Sequence, residues 1–134
     1  MKRILYTKDD GTVAIIVPAG DIEDCIKDVP QGKEYKIVNT EDVPSDRSFR
    51  NAWKHTDGVI EVDIPKAVEI QKDRLRAERK PLLVALDTEY MKALEVKDEK
   101  KMAEVVAEKQ RLRDITSFKA STVEELKSLT CKKE

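Results

Sequence analysis

Along the chain the spacing of apolar positions changes once, near Asp63. Before that point they fall in short alternating runs, and after it they recur at three- and four-residue intervals. The segment "RILYTKDDGTVAIIVP" predicts strands over residues 3–7 and 12–17, because Asp9-Asp10-Gly11 between them supplies the small polar residues of a tight hairpin turn. Pro18-Ala19-Gly20 ends the second strand. Asp21 is placed to cap a short helix carrying Ile22, Cys25 and Ile26, which Pro30-Gln31-Gly32 breaks. "EYKIVN" at 34–39 predicts a third strand with Tyr35 and Ile37 on one face and Val38 on the other. "GVIEVDI" at 58–64 predicts a further short strand, with Ile60 and Val62 opposite Val59 and Glu61. A lone hairpin is marginal in water, so the third strand or the short helix has to cover its apolar face.

From residue 65 onward the pattern is helical. Asp63 can cap a helix entered through Pro65, whose missing N–H costs nothing in a first turn. Ala67, Ile70, Arg74 and Ala77, beside Val68 and Leu75, form a weak face, which strengthens at Leu82, Leu83, Leu86, Tyr90 and Leu94. Pro81 either starts a second helix after a break at Arg79-Lys80 or kinks one that continues to about Glu95. "EVKDEKK" supplies a polar reversal with Asp98 as the next cap. Met102, Val105, Val106 and Leu112 then mark a face on which Ala103 and Ala107 permit close approach, and the outcome is an antiparallel helical hairpin over about 65–114. Thr122-Val123-Glu124-Glu125 has capping-box spacing and opens a terminal helix over about 122–130, with Val123, Leu126 and Leu129 on its packing face. Phe118 anchors the connection before it, which lets that helix return to the hairpin or reach a neighbour. The expected fold class is therefore α+β: a small antiparallel sheet in a head over 1–64, and over 65–134 a helical hairpin followed by a short helix.

One stretch fits neither pattern. In "VPSDRSFRNAWKH" the single Trp of the chain, Trp53, stands four residues after Phe49. Ser45 or Asp46 can cap a short helix presenting both rings on one face, while Arg47, Arg50 and Lys54 keep their charges wet and lay their aliphatic stems over them. The first reading is a packing seam between head and helices, the second a partner surface, and the last a chemical site. Phe49, Arg50, Trp53, Arg47 and Tyr90 are the candidate packing or partner contacts.

Composition narrows the remaining classes. Charged residues make up 40% of the 134-residue chain but the formal net charge is −1, which gives no general attraction for nucleic acid or an anionic membrane. Residues 1–64 hold 9 Lys/Arg against 13 Asp/Glu, and residues 65–134 hold 17 against 14, a difference that suits Lys/Arg-rich exposed helices. Cys25 and Cys131 lack the spacing of a disulfide framework or zinc site. The apolar run "VAIIV" is too short to span a bilayer and the amino terminus has no secretory hydrophobic region, so a soluble, unexported protein is expected. His55 beside Asp57 has no suitably placed nucleophile. Asp42, Asp46 and Asp57 lack the regular spacing of a cation loop. A nucleic-acid surface would use Arg47, Arg50, Lys54 and His55 with Trp53 as a stacking platform, against which the neighbouring acids argue. No catalytic residue, cofactor or metal ligand is expected.

The order of segments adds to this. "ILYTKDDGTVAIIVPA", "KDVPQGKEYKIVNTEDVPSDRSFRNAW" and "VDIPKAVEIQKDRLRAERKPLLVALDTEYMKALE", with the later "AEKQRLRDI" and "TVEELKSL", together resemble small proteins encoded by tailed phages and prophages near genes of the tail region. The resemblance implies a virion or assembly role: a structural or adaptor protein contacting other phage structural proteins or copies of itself, in the virion and, during assembly, in the host cytoplasm. It leaves a tail assembly chaperone and a host-takeover factor binding a bacterial protein complex as alternatives, with a small-molecule enzyme behind both. It carries no catalytic residues across.

Overall fold

A computed structural model describes residues 1–132 of the chain. The fold is α+β. Its elements are β1 (Lys2–Thr7), β2 (Val13–Ile16), α1 (Ile22–Cys25), β3 (Tyr35–Asn39), β4 (Trp53–Thr56), β5 (Val59–Val62), α2 (Ile64–Glu95), α3 (Glu99–Asp114) and α4 (Val123–Lys127), with single turns of 3-10 helix at Ile26–Asp28, Thr40–Asp42 and Arg50–Ala52. They fall into two compact units, Met1–Ala67 and the remainder from Val68.

The first unit is built on a three-stranded antiparallel sheet in the order β2-β1-β3. Its β1–β2 turn closes through the Lys8 amide on the Thr12 carbonyl at 2.8 Å, and Gly11 sits at φ +84°, where a side chain would strain the backbone. The Thr12 hydroxyl and amide both donate to the Asp10 carboxylate, at 2.6 and 2.9 Å, and these bonds hold the Asp10 carboxyl below its ordinary range. Strand register places Leu5 opposite both Ile15 and Lys36, and Arg3 opposite Val38. Alternation therefore puts Arg3, Leu5, Val13, Ile15 and Val38 on one face. That face packs on the β4–β5 hairpin, where Leu5, Val13 and Trp53 form a buried cluster flanked by Ile15, Val38, Val43, Ile60 and Val62. On the opposite face Ile4 is buried, whereas Tyr35 and Ile37 are exposed.

Several expectations need correction here. Residues 45–53 form no α-helix: Asp46 Oδ1 accepts from the Ser48 amide at 3.0 Å and its hydroxyl at 2.6 Å, one 3-10 turn follows at Arg50–Ala52, and Trp53 opens β4. Asp46 favours that local turn over a helical cap because its short carboxylate reaches the backbone two residues on. The strand at 59–62 is half of a hairpin whose turn, Asp57-Gly58, has both residues at positive φ, 50° and 86°. Asp21 precedes α1 without a side-chain capping bond.

In the second unit α2 and α3 form the helical hairpin. Helix α2 passes through Pro81 without a break, forfeiting the one backbone bond that residue would donate. Its buried positions are Ala67, Gln71, Leu75 and Ala93, with Leu83, Leu86 and Tyr90 half-buried between the last two, while Leu82, Leu94 and Ala77 are exposed. On α3 Val105 and Leu112 are buried, whereas Val106, Ala103 and Ala107 face outward. Lys109 bridges to Asp87 at 2.5 Å across the hairpin, and the Arg79 guanidinium donates to the Leu112 and Arg113 carbonyls at 3.2 and 3.1 Å, satisfying the end of α3. Asp98 caps α3 through the Lys101 amide at 3.1 Å.

The end of the chain returns to this hairpin. Thr122 Oγ1 accepts the Glu125 amide at 3.2 Å, but the Glu125 carboxylate reaches the Ser121 amide instead of that of Thr122, so the capping box closes one residue early. Leu75, Leu112 and Cys131 form the core, surrounded by Leu83, Leu86, Ile115, Phe118 and Leu129. Glu78 accepts from the Thr130 hydroxyl and the Cys131 amide, Arg111 donates to the Cys131 carbonyl, and buried Gln71 donates to the Leu129 carbonyl at 3.1 Å.

Candidate functional site

The side chains singled out around "SDRSFRNAW" meet in the first unit. Trp53 and Phe49 are 1% and 2% exposed, so neither ring is available as a surface anchor. Above the indole lie two guanidinium groups, with Arg50 at 4.7 Å and Arg47 at 5.6 Å from the ring centre, within cation–π range. Arg50 is fixed further by donating to the Val13 carbonyl, whereas Arg47 is exposed. The packing partners of Trp53 are sheet and hairpin residues of the first unit. Tyr90 belongs to the second unit, half-buried on α2.

Both arginines open onto a groove of about 810 Å³, together with Arg3, Ile15, Val17, Thr40, Glu41, Val43, Pro44 and Ser45. Arg3 comes from β1, Ile15 and Val17 from β2 and the residues after it, and the far wall from the 40–45 segment. The carboxylate of Asp42 accepts from the Asn39 amide at 3.2 Å, Thr40 donates to the Met1 carbonyl at 3.0 Å, and these bonds hold that segment against the sheet. The lining combines aliphatic Ile15, Val17, Val43 and Pro44 with the three guanidinium groups, and Glu41 is its one acid. Burial, and after it the adjacent Arg47 charge, pulls the Arg50 guanidinium below its ordinary pKa.

The charge pattern is specific to this place. The first 64 residues contain three arginines, and all three line this groove although that half of the chain carries an acidic excess. Arginine differs from lysine in its planar fork, which pairs with carboxylates in two-point fashion, and in its tolerance of partial burial. Arg3 was not among the sequence candidates, yet its two-residue spacing from Leu5 was the available signal that it shares the covered face of the sheet.

A second concavity, of about 470 Å³, is lined by residues including Lys8, Lys33, Tyr35, Lys36, His55 and Asp57. Its charges are answered internally, since Lys33 pairs with Asp9 and Lys36 with Asp57. Both His55 ring nitrogens are buried without a hydrogen-bond partner among the described residues. Asp42, Asp46 and Asp57 do not assemble, and no cluster of potential metal ligands occurs among the described residues. With its ring covered, Trp53 offers no face on which a base could stack. No helix among the described residues is long and apolar enough to cross a membrane. No family model matches the chain, and no curated protein or solved structure is significantly similar to it.

Proposed function

We propose that this chain works by contact with other proteins, as a structural or adaptor component of a tailed-phage particle, and performs no chemical step. The single observation that supports contact as its mode of action is the convergence of Arg3, Arg47 and Arg50 on an open groove that also carries aliphatic surface. Such a groove suits recognition, since it offers charge and planar donors beside aliphatic surface. The phage context rests on the resemblance of the sequence segments described above.

Composition and cross-linking of purified particles test this reading. The expected result is stoichiometric incorporation with cross-links from Lys54, the exposed lysine beside the aromatic stretch, to a neighbouring structural protein. Abundant expression with complete absence from particles overturns the virion assignment and favours the soluble factor acting on a host protein.

A further inference from the structure

We infer that the arginine groove binds an extended acidic segment of a partner protein, carboxylates on Arg47, Arg50 and Arg3 and an intervening aliphatic side chain against Ile15, Val17, Val43 and Pro44. The inference deepens the protein-contact reading and rests on it. Charge complementarity selects the occupant. Three guanidinium groups against one lining acid make the groove net positive on a unit that is net acidic, so an anionic partner is favoured here. The aliphatic part of the lining selects the kind of anion, because apolar surface beside the cations rewards a chain that alternates acid and aliphatic groups over a compact polar ion.

The geometry also divides the labour among the arginines. Arg50 is held between the Val13 carbonyl and the indole, so its fork is oriented before a ligand arrives and little freedom is lost on binding. Arg47 is exposed, has its ring contact at the longer distance, and is free to close over the ligand. A second copy of the same chain is a poor occupant through this surface, since two such rims face each other with like charge.

Binding of the full-length protein to three labelled probes decides the matter: an acetylated twelve-residue peptide alternating Glu with Val and Leu, the same peptide with Lys for Glu, and a twelve-residue oligothymidylate. Saturable binding of the acidic peptide that weakens with salt is expected, with NMR shifts at the Arg47 and Arg50 side chains and at the Ile15 and Val17 amides. Arg47→Gln, at an exposed position, is expected to weaken binding about tenfold, and Glu41→Gln to strengthen it. Equal binding of the Lys peptide, an Arg47→Gln variant that binds as well as the parent, or tighter binding of the oligothymidylate overturns the inference. If the acidic peptide fails while cross-links in particles map to Lys54, the occupant chemistry is wrong and the protein-contact reading survives; failure of both sinks the two together.

Discussion

Trp53 is the residue on which the first unit's packing turns, because its ring joins Leu5 and Val13 from the sheet to Ile60 and Val62 from the hairpin. Trp53→Ala is expected to cost about 3–5 kcal/mol, measured as a fall in the denaturant midpoint. His55 acts in the opposite direction. Two buried ring nitrogens without partners carry an uncompensated desolvation penalty, so His55→Leu is expected to raise stability by about 1 kcal/mol in the same measurement. Cys131 supplies a pH dependence. Burial, followed by the nearby Glu78 charge, raises the thiol above its ordinary pKa of 9.0, so the folded chain holds this proton more tightly than the unfolded one. Its contribution is fully present below the unfolded value and lost as pH rises through the folded one. Alkaline titration of the parent should therefore show a loss of stability that Cys131→Ala, less stable throughout, does not show.

At the scale of elements, turns decided what could be read from sequence. Asp9-Asp10-Gly11 announced the β1–β2 hairpin, Asp63, Asp98 and Thr122 announced helix starts, and the period change near Asp63 separated sheet from helix. The β4 strand was hidden because Phe49 and Trp53, four apart, imitate a helical face, while the decisive signal was the Asp57-Gly58 pair behind them. The groove was legible only in part: Arg47 and Arg50 stand out in their segment, but Arg3 joins them through strand register across 44 residues, from 3 to 47, which no local pattern encodes. Gln71 and Cys131 were missed as core because their burial depends on the chain end returning to α2. Two substitutions test these elements. Gly58→Ala places a Cβ at 3.0 Å from Val38 Cγ1 with φ at +86°, and should destabilise by about 1 kcal/mol or more. Pro81→Ala restores a helical donor and should stabilise α2 by up to about 3 kcal/mol, seen as a higher melting point of the 222 nm signal.

Over the whole molecule, each unit possesses its own buried cluster, one around Leu5, Val13 and Trp53 and the other around Leu75, Leu112 and Cys131. Native-state hydrogen exchange should report them separately: Gly58→Ala is expected to accelerate exchange of β1 amides while those of α3 keep the parent rate. Equal acceleration in both would show one cooperative core. A further property follows from the position of Arg50 over the chain's single indole, 4.7 Å from its centre. The electric field of that cation acts on the excited state of Trp53, so any anion that settles beside it alters the colour of the emission. The protein thus carries its own dye beneath Arg50 of its recognition surface, and occupancy is readable from unlabelled material by light alone.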